Sequence, residues 1–314
     1  MKKLKAAAVF TGLALALSLL TSCKAQPQPE YVDPPFFRVA DEDTGGCVYM
    51  LGSMHMGKAG TVYPEAVMEA FAECDTVACE VDTIALSENA ALLQECSSLL
   101  LCPEGTTTAD YLSDSYEEIR GFMKKQRVYS AACEKYLPVM WNSLLSNSAA
   151  EKCGLSSDCG TEQIFLSKAK AEGKEIIEIE SALFQYEIMA GESPALSEYS
   201  LMKTAEDGSE ELCRQLDELY SAWAAADGAG LEKALSEDIP TGELEEVYAS
   251  YYDEMYTNRH RIMADCVLEW LSEGRQVFMF VGALHFYAEP DILTCLEESG
   301  YTYETLSTGS AAAA

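Results

Sequence analysis

Residues 48–55 read VYMLGSMH and residues 279–285 read MFVGALH. Each is an apolar run followed by glycine, two further residues and histidine. The chain holds three histidines, His55, His260 and His285, so two of them close the same pattern. A short apolar run that ends in glycine reads as a strand buried on both faces. Glycine at the strand end permits a sharp turn and a close approach to the backbone. In a parallel α/β sheet, ligands gather beyond the carboxyl ends of the strands. His55 and His285, each three residues past its glycine (Gly52 and Gly282), are therefore candidates for one shared site.

Working outward, residues 46–51 (GCVYML), 75–81 (DTVACEV), 174–180 (KEIIEIE), 276–281 (QVFMFV) and 301–305 read as strands. Helical patterns cover 64–73, 162–172, 181–190, 243–273 and 289–299, with Gly173 and Gly274 as stop signals and Pro64 and Pro290 near helix starts. Irregular helical stretches run from 83 to 155, including 116–127 and 131–150, and from 196 to 235; these are expected to lie outside the sheet as insertions or a cap. Strands alternating with helices predict an α/β fold with a mainly parallel central sheet flanked by helices. The 75–81 strand then delivers Glu80 and Asp82, and the 174–180 strand delivers Glu180. In parallel strands, two imidazoles and up to three carboxylates would converge on one edge. Such a set suits a divalent metal, with a carboxylate as general base for bound water. Plainer roles stay open at this point. Glu80 and Glu180 could cap helices or pair with basic side chains, and Asp82 equally suits the N-cap of the next helix.

Hydrophobic residues make up 48% and charged residues 23%, which excludes a disordered chain, a collagen-like fibre and a polytopic membrane protein. Lys and Arg number 21 against 52 Asp and Glu, a formal charge of −31. A surface so acidic repels phosphate backbones, so nucleic acid is not an expected partner. Lys2, Lys3 and Lys5 precede an apolar run from 6 to 20, and Leu20-Thr21-Ser22-Cys23 follows. The run is too short and wrongly flanked for a stable transmembrane helix. Residues 1–22 resemble a lipoprotein signal peptide, with Cys23 acylated and residues 23–36 a proline-rich tether on the extracytoplasmic face of a bacterial membrane. The folded domain is then expected at 37–306 and a disordered tail at 307–314. Of 12 cysteines, those beyond Cys23 are odd in number, so at least one stays unpaired. Cys153 with Cys159, or Cys96 with Cys102, are near enough in sequence for local loops. CxxC spacing is absent, which disfavours a structural zinc site.

LGSMHMGK followed by YPEAVMEAFAECDTVACEVD resembles the opening of the TraB/GumN family, relatives of the TIKI metallopeptidases. Gly52–His55, Glu80 and Gly282–His285 match the family's two GxxH motifs and its strand-end glutamate. Gly160-Thr161-Glu162 matches its Gly-x-Asp helix start with glutamate for aspartate, and Glu180-Ser181 its Glu-Thr/Ser pair. Arg259-His260 with Met263-Ala264 matches its Arg-Asn…Met-Ala helix, histidine replacing asparagine. The resemblance spans about residues 37–306 and implies a fold similar to erythromycin esterase and ChaN-like proteins. It also implies a metal-dependent hydrolase, a peptidase using Mn²⁺ or Co²⁺, with Zn²⁺ not excluded. In that reading His55, His285 and Glu80 are ligands, Glu80 doubles as base, and Arg259 neutralises an oxyanion or orients a carboxylate. His260 reads as a surface residue of its helix.

Three functions follow. The first is a membrane-anchored hydrolase acting on a peptide or protein. The second is a lipoprotein that binds a metal chelate or haem at the same edge without turnover. The third is an interaction module whose histidines close the core, which a gathering of strand-end carboxylates argues against. GxSxG, Walker and dinucleotide fingerprints are absent from the chain.

Overall fold

The two glycine–histidine strands lie side by side. The computed structural model of the chain describes residues 27–112, 115–236 and 239–309. Its main sheet has six strands: β1 (Phe36–Ala40), β2 (Cys47–Ser53), β3 (Thr76–Cys79), β4 (Glu175–Glu178), β5 (Gln276–Gly282) and β6 (Tyr303–Thr305). Their order is β6-β1-β2-β5-β3-β4. Strands β2, β5, β3 and β4 are mutually parallel, and β1 runs antiparallel to β2 and β6. Gly52 pairs with Val281 and Ser53 with Gly282, so both motifs leave the sheet at one edge. The mixed α/β fold with a mostly parallel sheet is thus the one the sequence predicts.

Strand β1 was not expected. Its link to β2, residues 41–46, is far shorter than the dozen or more residues that a parallel crossover needs, so it folds back as a hairpin. Along β5 the side chains alternate: Val277, Met279 and Val281 join one core, Phe278 and Phe280 the other. Helices α1 (Glu65–Glu73), α2 (Pro138–Lys152), α3 (Thr161–Glu172), α4 (Ser209–Ala224), α5 (Asn258–Ser272) and α6 (Ile292–Glu298) matter most for the site. Phe71 of α1 and Phe165 of α3 meet the Phe278 ring at 5.4 and 5.2 Å on one face. Met263 and Val267 of α5 and Ile292 and Leu296 of α6 cover the other. A separate core, with Trp141 and Leu145 of α2, Ile119, Met123 and Leu201, holds the helical insertions together.

Several boundaries move. The expected tether reaches 36, yet Val32 and Phe36 are already buried and Glu30–Tyr31 pairs in parallel with Thr61–Val62. The tail expected to be free from 307 is held by Thr308, whose N–H and Oγ1 donate to Asp33. The 131–150 helix begins at Pro138, because the residue before a proline disfavours helical backbone. Pro290 lies ahead of α6 rather than inside it. Strand β4 is an edge strand, half open to solvent rather than buried on both faces. The 243–273 stretch is two abutting helices, Glu245–Tyr252 and α5, joined by a π-helical turn at Asp253–Thr257. The signal segment 1–22 and Cys23 lie outside the described residues. Among the described residues, no helix is long and apolar enough to cross a membrane, and eleven cysteines are thiols. Cys96 packs with Val81 and Ala182, whereas the Cys102 thiol turns to the Tyr136 carbonyl.

Candidate functional site

The sheet register brings Glu80 and Glu180 together. Beyond β3 and β4, the Glu180 N–H donates to the Glu80 carbonyl at 3.0 Å, extending the ladder past the strands. Between the two carboxylates sits Arg259 of α5, which is 5% exposed. Its Nε donates to Glu180 Oε1 at 2.7 Å, and its Nη2 to Glu180 Oε2 at 2.8 Å and Glu80 Oε2 at 2.7 Å. Its Nη1 donates to the Met255 carbonyl at 3.0 Å and lies 3.8 Å from the Met255 sulfur. A guanidinium has five N–H groups, and these contacts use all of them. Arg259 therefore has none left for an oxyanion; it orients carboxylates. Gln185, which the sequence reading missed, bridges the same pair: its Nε2 donates to Glu80 Oε2 at 2.9 Å and Glu180 Oε2 at 2.8 Å. Gly282 N–H donates to Glu80 Oε1 at 2.7 Å. Burial alone would raise the Glu80 carboxyl. In the acidic range where both groups titrate, a protonated His285 first, then Arg259 and His55, and the Gly282 N–H reverse this and hold it at about 2.

His285 sits in the short turn after β5, with its side chain 6% exposed. Its Nδ1 lies 2.9 Å from His260 Nε2, and His260 Nδ1 lies 2.7 Å from the Pro290 carbonyl. A carbonyl only accepts, so His260 Nδ1 carries a proton and donates it. In a neutral ring His260 Nε2 then accepts, and His285 Nδ1 must be the donor. This leaves His285 Nε2 as a bare lone pair, 3.7 Å from Glu80 Oε1. Burial pushes both imidazoles down, His285 to about 3, which keeps the relay neutral. His260 is thus fully buried and orders the site, contrary to its reading as a surface residue. The sequence carried a signal for this: His260 lies on the apolar stripe of α5 with Met263, Ala264, Val267 and Leu271.

His55 occupies a different setting. Its side chain is 75% exposed, and its Nδ1 lies 2.9 Å from Glu162 Oε1. Glu162, in the first turn of α3, also accepts from Ser53 Oγ at 2.6 Å. The Glu162 charge and hydrogen bond raise His55 to about 9. Glu162 Oε2 is buried and has no hydrogen-bond partner. The start of α3 is strapped to the first motif, because Thr161 N–H donates to the Met54 carbonyl and Met54 N–H to Thr161 Oγ1. Tyr63 is core, its hydroxyl 3.0 Å from Thr161 Oγ1.

Asp82 does not join the site. It caps the Thr83–Glu88 helix, accepting from Ile84 and Ala85 N–H, and pairs with Lys170 at 3.1 Å. Gly52 is needed for space: a Cβ there would meet Ala283 and Pro35 at 3.1 Å. The Gly52 carbonyl accepts from Trp223 Nε1 at 2.9 Å. His55, Glu80, Arg259, Gly282 and His285 all line one cleft of about 400 Å³, whose other walls include Met54, Met56, Leu155, Leu216 and Leu219. A larger surface groove of about 640 Å³, lined by Glu187, Glu246 and Tyr251, gathers none of these groups.

Among the described residues, no set of three or more His, Cys, Asp or Glu side chains stands gathered to hold a metal ion. His285 Nε2 and Glu80 Oε1 face each other at 3.7 Å. No curated protein and no solved structure matches the chain. The family description TraB/PrgY/gumN matches residues 35–305, which is most of the molecule and includes every residue of the cleft named above. On that match the chain belongs to the TraB/PrgY/gumN family.

Proposed function

We propose that this chain is a metal-dependent hydrolase acting on peptides, with a divalent cation seated between His285 and Glu80. The observation that carries the reading is the pair of facing acceptors: a neutral imidazole nitrogen and an ionised carboxylate oxygen, 3.7 Å apart. Two ligands that each lie about 2.0–2.2 Å from one ion span a gap of this size. Without a cation or a proton donor between them, the two lone pairs repel. His55, which lines the same cleft, is the further nitrogen donor. Recruiting His55 would release the proton that Glu162 helps it to hold. Mn²⁺ or Co²⁺ is the ion we favour; an imidazole–carboxylate set also accepts Zn²⁺.

A bound divalent ion supplies Lewis acidity toward a carbonyl oxygen. The chain's own groups do the remainder. Arg259 and Gln185 fix Glu80 as an anion, which makes it a better ligand than base. The His260 relay keeps the His285 lone pair aimed at Glu80, the kind of outer support that ligating histidines need. Glu162 Oε2, buried without a donor, is the acceptor left for a proton. The apolar walls of the cleft suit an apolar side chain of the substrate and limit water. We also read the chain as lipid-anchored through Cys23 on the extracytoplasmic face of a bacterial membrane; the support is the Lys2–Lys5 charge, the apolar run and Leu20-Thr21-Ser22-Cys23.

The test is metal content together with cleavage of a peptide library by the full chain in detergent, with and without EDTA, and with His285→Ala as control. Stoichiometric metal and EDTA-sensitive cleavage, both lost in the variant, are expected. Bound metal without cleavage would leave a metal-binding lipoprotein instead. No metal under any loading would sink the proposal.

A further inference from the structure

Two cysteines meet across a wall of the cleft. Cys153 caps the C-terminal end of α2, and Cys213 lies in the second turn of α4. The Cys153 thiol donates toward the Cys213 carbonyl at 3.6 Å, and the Cys213 thiol toward the Ala149 carbonyl at 3.6 Å. Each thiol points at the backbone of the other's helix, and both are partly exposed. The same helices form the cleft wall, with Asn147 and Ala150 from α2 and Leu216 and Leu219 from α4. Farther along α4, Trp223 is fastened to the Gly52 carbonyl. Helix α4 is therefore pinned to the first glycine–histidine strand at one end and carries Cys213 near the other, roughly 15 Å away by helix rise.

We propose that Cys153 and Cys213 form a redox-controlled disulfide that joins α2 to α4 and holds the cleft wall fixed. The oxidant is a low-molecular-weight disulfide. One protein thiol loses its proton and attacks that disulfide; its S–S bond breaks and one small thiol departs. The second protein thiol loses its proton and attacks the protein-bound sulfur of the mixed disulfide, and the second small thiol departs. Two protein thiols are oxidised and one small disulfide is reduced to two thiols. Burial and the neighbouring Cys213 push Cys153 up to about 11, so exchange is slow near neutrality and quickens as pH rises. The bond closes a 60-residue loop, long enough for a cross-link to restrict the unfolded chain substantially.

The test treats the full chain in detergent with oxidised glutathione, alkylates the remaining thiols and maps the peptides. A Cys153–Cys213 link is expected, with a higher Tm and slower amide exchange at 216–219 than in the reduced protein. Cys213→Ser should show neither change. The proposal is overturned if both cysteines remain alkylatable after oxidation, if either pairs elsewhere, or if the link forms and exchange at 216–219 is unchanged. The wild-type map needs no variant to fold, no metal and no turnover, so it is read separately from the hydrolase proposal.

Discussion

The two glycine–histidine motifs share a pattern, sit on adjacent parallel strands and end in opposite physical states. His285 is buried, neutral and held by a second histidine, with burial keeping it at about 3. His55 is open to solvent and paired with Glu162, which raises it to about 9. The difference arises from what lies beyond each strand. Past β5 the chain turns under α5, where His260 waits; past β2 it meets the start of α3, where Glu162 is presented by the first helical turn. Matching motifs therefore do not imply matching roles. One histidine is a ready donor, and the other has a proton to lose before it can be one.

The sharpest way to break this comparison is to delete each ring in turn. His285→Ala should abolish metal uptake measured by calorimetry, whereas His55→Ala should weaken it and leave binding detectable; equal losses would mean the two motifs are interchangeable. Next in size is Arg259→Met. It strands Glu80 and Glu180 beside each other without a cation, and removing one partner of a buried ion pair costs about 3–5 kcal/mol. Denaturant unfolding should show this loss, and an unchanged midpoint would contradict the account of the carboxylate pair.

His260→Ala tests the relay alone. It should keep the fold and lower metal affinity by roughly 10–100-fold, the range for outer-shell supports of metal ligands. His260→Asn should recover most of that, because an amide can still accept from His285 Nδ1. The smallest effect belongs to His55 and Glu162. A histidine raised from 6.5 to about 9 stabilises the fold fully below 6.5 and loses that contribution as pH rises through about 9. Exposure screens the pair to about 0–1 kcal/mol. Glu162→Gln should therefore flatten a shallow fall in metal-free stability between those pH values and do little else.

What was legible in the sequence follows from where one physical effect dominated. Strands β2, β3 and β5 are buried on both faces, so their apolar runs were readable without neighbours, and the strand-end positions of His55, Glu80 and His285 came with them; Glu180 followed from the partial alternation of the half-open β4. Strand β1 was missed because FFRVA adjoins a proline-rich stretch and its pairing is set by a short turn. The Arg259 side chain could be placed near a carboxylate, but its saturation by five contacts depends on Met255 and Glu180 meeting in space. Asp82 had two readings of equal weight, and the local one, capping the helix that follows, prevailed. Gln185 could be found only once the register set Glu80 beside Glu180.

The central claim is that His285 offers a bare Nε2 to Glu80 while His55 carries a charge. With three histidines in the chain, imidazole ¹⁵N NMR of the metal-free protein can resolve all of them between pH 5 and 8. The account predicts that His260 and His285 stay neutral with the proton on Nδ1, that His55 is protonated across most of the range, and that Zn²⁺ shifts His285 Nε2 first. A His285 that titrates near 6.5, or that carries its proton on Nε2, would contradict it.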